Sequence, residues 1–180
     1  PSARHHAFQV CRLRIYQFCL SILKLKGAEG KRTEERKTRM NLLKEGAAAF
    51  GVSIDENIQE KFSTYTRLLL EWNEKVNLTA VTEEREIIVK HYLDSLSLGS
   101  LAEFDGKRMI DVGTGAGFPG IPLKICYENL DVTLLDSLEK RVRFLDVVID
   151  ALSLKNIRAV HGRAEEYGIK PEYREKYDYA

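Results

Sequence analysis

Cysteine is scarce in this 180-residue chain: there are three, and Cys11 and Cys19 both lie in its basic first stretch. Cys126 therefore stands alone in the remainder, where no disulfide framework can form, and a reducing cytoplasm is the expected setting. No cysteines are paired at zinc spacing, and no metal is expected. A Gly-x-Ser-x-Gly nucleophile elbow is missing, which leaves out that route to acyl transfer. No apolar run is long enough to span a bilayer, since the one between Arg12 and Leu25 is short and interrupted. Strong overall charge is absent too, the net value being +1, but its distribution is uneven. Residues 1–39 carry ten Lys/Arg against three Glu, and 40–180 carry 18 basic against 24 acidic residues. An acidic globular part is in tension with a nucleic-acid partner, because phosphate attraction needs positive charge. What is present, 44% hydrophobic and 31% charged residues, suffices for one domain with a core.

The organising stretch is Lys107 to Gly120. Met109, Ile110 and Val112 form a short apolar run that reads as a buried strand. It breaks into a loop with glycine at 113, 115, 117 and 120. Glycine tolerates positive φ and has no Cβ, so such a loop turns tightly and admits a ligand close to its backbone. Ile121 to Tyr127 reads as a helix, with Pro119 and Pro122 at or near its first turn. Strand, glycine loop and helix start make the nucleotide-cradling unit of doubly wound α/β domains. Gly115, Gly117 and Gly120 fit the dinucleotide pattern G-x-G-x-x-G, which admits a dinucleotide-dependent oxidoreductase. Asp111, two residues ahead of Gly113, instead suits a ligand bearing ammonium and sulfonium charge, such as S-adenosylmethionine.

Upstream, 1–39 reads as a basic leader, disordered or non-native, with a solvated linker from Lys31 to Arg39. A helical part follows at 40–101. Leu42, Leu43, Ala47 and Phe50 form a first apolar face ended by Gly51, and Ser53 with Glu56 resembles a capping box. Ile54, Ile58, Phe62, Tyr65, Leu69, Trp72 and Val76 recur at spacings of three and four along a long helix. Asn77 to Thr79 ends it, Thr82 is placed to cap the next, and Glu83 to Leu98 carries Ile87, Ile88, Tyr92 and Leu96 inward. Lys90, His91, Asp94 and Ser95 read as its polar face. The α/β part is expected at 102–180. Its second strand, Asp131 to Leu135, ends in Asp136, where a carboxylate can take both ribose hydroxyls of an adenosine cofactor or cap the next helix. That helix buries Leu138, Val142, Leu145, Ile149 and Leu152, while Lys140, Arg141 and Arg143 at its start, with Arg163 further on, read either as a solvated face or as a basic face for RNA phosphate. Ile157 to His161 is the third strand; His161 has no expected catalytic duty, and Glu165 in the following loop is placed to read an adenine amino group. Tyr177 to Ala180 reads as the start of a fourth strand, so the chain is expected to be a fragment of a longer protein.

The ordered set Trp72 to Ala80, Lys90 to Leu96, Ile110 to Leu123, Leu134 to Arg141 and Gly162 to Glu165 resembles the bacterial small-subunit ribosomal RNA guanine-N7 methyltransferases, also called glucose-inhibited division protein B. The resemblance covers Met40 to Ala180. It implies a class I S-adenosylmethionine-dependent methyltransferase fold, a Rossmann-like doubly wound α/β sheet, here incomplete and behind an N-terminal helical part. It further implies methylation of a guanine N7 in 16S ribosomal RNA, with the small ribosomal subunit as partner and the protein a monomer away from membranes. By position, Gly113, Phe118, Ala164 and Glu165 match the family's cofactor contacts and Asp136 its ribose position; Asp111, Gly115 and Gly117 complete the expected cofactor set. An arginine contact after the fourth strand falls beyond Ala180. No catalytic residue is expected, since guanine N7 has a lone pair and no proton to remove. A non-catalytic RNA- or ribosome-binding module is the remaining alternative.

Overall fold

The computed structural model describes residues 32–180, with side chains from 38 onward. The apolar segment between Arg12 and Leu25 and both leader cysteines lie outside them. Helix α1 spans Arg32–Ala48, so 32–39 are helical rather than a linker. Arg, Glu and Lys are good helix formers, and propensity suffices to extend a helix whose later turns are anchored. The anchors are Leu42, Leu43 and Ala47, all buried. Gly51 closes the turn beyond at φ +76°.

Helix α2, Glu56–Val76, begins at Asp55, whose carboxylate accepts the Ile58 N–H at 2.7 Å. The cap is thus Asp55 and not Ser53. Phe62, Tyr65 and Leu69 are fully buried along the expected stripe, each such side chain stabilising by about 1.5–3 kcal/mol. Asn77 ends the helix in the left-handed region, at φ 50°. Helix α3 starts at Glu84–Ile87, widens into π geometry at Ile88–Leu93, regains α geometry at Asp94–Leu96 and tightens to 3-10 at Ser97–Ser100. Its cap is Glu83, which accepts from Glu86 N–H, so Thr82 does not cap it. Among the described residues no helix is long and apolar enough to cross a membrane.

Three parallel strands follow: β1 (Arg108–Val112), β2 (Asp131–Asp136) and β3 (Ile157–His161), in spatial order β1-β2-β3. Register sets Asp111 beside Leu134, and Asp136 beside His161. On the free flank of β1, Tyr179 makes a parallel bridge to Met109, and Ile110 N–H donates to the Tyr179 carbonyl at 3.0 Å. The expected fourth strand is thus present only as an isolated bridge on that flank, beside β1 at the edge of the three-stranded sheet.

Helices α4 (Gly120–Cys126) and α5 (Glu139–Ala151) connect the strands, and α6 (Ala164–Tyr167) turns what was read as a loop into one helical turn. Strand periodicity puts Met109, Val132 and Leu134 on the face that α4 and α5 cover, and α2 packs across both helices. Leu138, expected in the stripe of α5, precedes the helix and is exposed, while Phe144 and Val148 are buried in the stripe. Lys124 on α4 is buried as well, its ammonium donating to the carbonyls of Glu128 and Leu130 that close the turn into β2.

Candidate cofactor site

The loop from Gly113 to Pro119 is tied to its surroundings bond by bond. Gly113 N–H donates to the Leu135 carbonyl at 2.8 Å, pinning the loop to the tip of β2. Gly115 N–H donates to Asp136 Oδ2 at 2.9 Å. Asp111 Oδ2 accepts from Thr114 Oγ1 at 2.7 Å and from Gly120 N–H at 2.9 Å, joining the two ends of the loop. From the helical part, Tyr65 O–H donates to the Ala116 carbonyl at 2.5 Å. Burial pushes the Tyr65 phenol well above its ordinary pKa, so it stays protonated and remains a donor. Tyr65→Phe is expected to cost about 1–2 kcal/mol, read as a lower urea midpoint at unchanged slope, because the Ala116 carbonyl loses a buried partner.

The glycines divide into two kinds. A Cβ at Gly113 meets nothing within 4 Å, and one at Gly115 reaches only the Gly113 carbonyl at 4.0 Å, both at positive φ. Their α-carbons face open space beside the tips of β1 and β2. A Cβ at Gly117 would meet Ile121 Cδ1 at 2.5 Å and the Tyr65 hydroxyl at 2.8 Å; at Gly120 it would collide with Leu134 Cδ2. Gly117, expected among the ligand contacts, is thus a packing glycine that lets the loop lie against α4 and α2.

Both carboxylates lie deeper than expected. Asp111 is 8% exposed and braces the loop from within instead of opening at its mouth. Burial raises its pKa to about 6 against the pull of its Thr114 and Gly120 bonds, with the negative charge of Asp136 adding to the rise. Asp136 is 2% exposed. Besides Gly115, it accepts Leu138 N–H on Oδ1 at 2.9 Å and faces Arg141 at 3.4 Å. Both carboxylate oxygens of Asp136 are thus already engaged, and its contact with the Arg141 guanidinium is long and partly open to solvent. Gly162 N–H donates to the Asp136 carbonyl, so the chain leaving β3 runs beside this tip and carries Ala164 and Glu165, both exposed, on the first turn of α6.

Phe118 turns the other way, toward the helical part, where His91 stacks on it at 4.4 Å between centroids. His91, read as part of a polar face, is half buried, and nothing in its spacing signals the stack. Of the expected basic face, Arg141 is drawn to Asp136 and Arg143 pairs with Glu139 on its own helix at 2.7 Å. Cys126 is half buried and its thiol is pushed up to about 12 by burial, so it supplies no thiolate at neutral pH. A groove of about 520 Å³ between α1, α2 and α3, walled by Met40, Ser63, Arg67, Leu70 and Glu74, has no residue in common with the glycine loop.

A parallel sheet with a glycine loop after β1, an acid at the tip of β2 and helices returning over one face is a Rossmann-like α/β arrangement, here behind an N-terminal helical part, and nucleotide-binding domains of more than one class share it. Comparison with known proteins narrows the class. The family described as rRNA small subunit methyltransferase G matches residues 58–180, and the chain belongs to it. A ribosomal RNA small subunit methyltransferase G of Acetivibrio thermocellus is 56% identical over 137 residues, 76% of this chain and 57% of that protein. That of Alkaliphilus metalliredigens is 56% identical over 140 residues, 77% of this chain and 59% of the relative. The chain thus spans somewhat over half the length of the curated relatives it matches.

Proposed function

We propose that this chain forms the cofactor-binding part of an S-adenosylmethionine-dependent enzyme that methylates a guanine N7 of 16S ribosomal RNA in the cytoplasm. The observation that carries the reading is the open backbone at Gly113 and Gly115, at the tips of β1 and β2 beside Asp136. When bound, S-adenosylmethionine supplies an electrophilic methyl group. Gly113 and Gly115 leave room for the ligand's approach, Asp136 holds ribose hydroxyls, and Ala164 and Glu165 border the remainder, while Phe118 faces the helical part. Asp111 acts one step behind, by fixing the loop. Guanine N7 carries a free in-plane lone pair, so no residue has to remove a proton. The protein's contribution is orientation, worth about 7–11 kcal/mol in the best intramolecular cases. The absence of a thiolate at Cys126 agrees with chemistry that needs no covalent intermediate. The bias to acid in 40–180 leaves the RNA-facing charge to exposed residues such as Lys140 and Arg163.

Calorimetric titration of the chain with S-adenosylhomocysteine tests the reading. Binding in the micromolar range, about −8 kcal/mol, is expected, with none for NADH. NADH binding without S-adenosylhomocysteine binding would instead make the loop a dinucleotide site.

A further inference from the structure

A loop rich in positive-φ glycine has little conformational preference of its own, so its shape depends on what holds it. Asp111 and Asp136 hold it from the sheet and Tyr65 from α2. The Leu135 carbonyl pins its start, and a further brace is Phe118, whose ring leaves the loop for the helical part. His91 lies nearly parallel to that ring, with planes 12° apart, while Tyr65 and Tyr92 approach it tilted at 5.6 and 6.0 Å. His91 is itself fixed: Nε2 lies 2.9 Å from Thr79 Oγ1. Thr79 is held in turn, its N–H donating to Asn73 Oδ1 at 2.8 Å and its hydroxyl oxygen accepting Val81 N–H at 3.1 Å. The chain of contacts therefore runs from the last turn of α2 through the Thr79 turn and His91 to Phe118. His91 also sits inside the π-helical segment Ile88–Leu93. The wider turn brings neighbouring side chains closer to one face, so Tyr92 enters the core while His91 still reaches Phe118. Burial lowers the His91 pKa, which keeps the ring neutral and free to stack without a desolvated charge.

We propose that His91 is a positioning residue for the cofactor loop: held by Thr79, its ring clamps Phe118 and keeps the glycine backbone in the shape that admits the adenosine ligand. This rests on the S-adenosylmethionine reading above. His91 acts through Phe118 and through nothing nearer the ligand. Releasing the clamp lowers the fraction of chains whose loop is competent, and apparent affinity falls by that fraction.

The test is a double-mutant cycle read by calorimetry with S-adenosylhomocysteine, with thermal melting alongside. His91→Ala is expected to weaken binding about fivefold, the scale of one lost aromatic pair. His91→Phe, which keeps the stack, should recover to within about twofold, and His91→Ala should add nothing in a Phe118→Ala background, because the clamp then has nothing to hold. A His91→Ala protein that melts lower yet binds as before makes His91 a packing residue and overturns the proposal. So does an equal loss with and without Phe118. If the unsubstituted chain fails to bind S-adenosylhomocysteine, the cofactor reading itself falls, which the same titration separates from failure of the clamp.

Discussion

Gly115→Val is expected to abolish S-adenosylhomocysteine binding, a loss of about 100-fold or more, in a chain that still folds. At φ +63° a β-branched residue sits in the left-handed region, at a cost of about 1–2 kcal/mol. That is a fraction of an ordinary domain's stability, typically about 5–15 kcal/mol. The space around the site makes the difference: a Cβ at Gly115 collides with nothing, so the isopropyl group projects into the open space proposed for the ligand. Gly117→Ala has the opposite expectation, since its Cβ strikes Ile121 and the Tyr65 hydroxyl. There stability falls first and binding follows. Calorimetry paired with thermal melting separates the two. Unchanged affinity in Gly115→Val would refute the assignment of this loop to the ligand.

The same contrast shows what was legible beforehand. The three strands were readable because each is a short apolar run between turn residues, and α2 because seven apolar positions recur at helical spacing. The spacing of the glycines marked a ligand loop, but a string of glycines does not tell open ones from packed ones; that depends on Tyr65, fifty-one residues from Ala116 in the chain. The depth of the carboxylates was in principle readable. Met109 and Asp111 alternate on one face of β1, as Val132, Leu134 and Asp136 do on β2, so both acids had to lie on the apolar side. The helical 32–39 was hidden because a run of Arg, Lys and Glu has no apolar period and reads equally as solvated coil. The His91 stack had no signal at all, since His91 sits in a π-helical segment that leaves no mark in hydrophobic spacing and its partner is in a distant loop.

Asp111→Ala is expected to destabilise the chain by about 2–4 kcal/mol, whereas Asp111→Asn costs much less. Alanine removes the acceptor of two buried bonds at once and leaves the Thr114 hydroxyl and Gly120 N–H without it. Both donors meet the same oxygen, Oδ2, so an asparagine carbonyl placed there can still accept both. Asparagine also removes a charge that burial and Asp136 disfavour, and this gives the pair of variants a pH signature. Asp111 has its folded pKa raised to about 6, above its ordinary carboxyl value. The folded state therefore binds the proton more tightly than the unfolded state. The resulting stabilisation is fully present below the unfolded pKa and is lost as pH rises through about 6. Going from about pH 7.5 to about pH 5, the unsubstituted chain should gain about 1 kcal/mol relative to Asp111→Asn. Urea denaturation at the two pH values measures the difference directly. A relative loss on acidification would mean that the carboxylate acts chiefly as a charged partner of the loop, its Thr114 and Gly120 bonds outweighing burial and holding its pKa below the ordinary value.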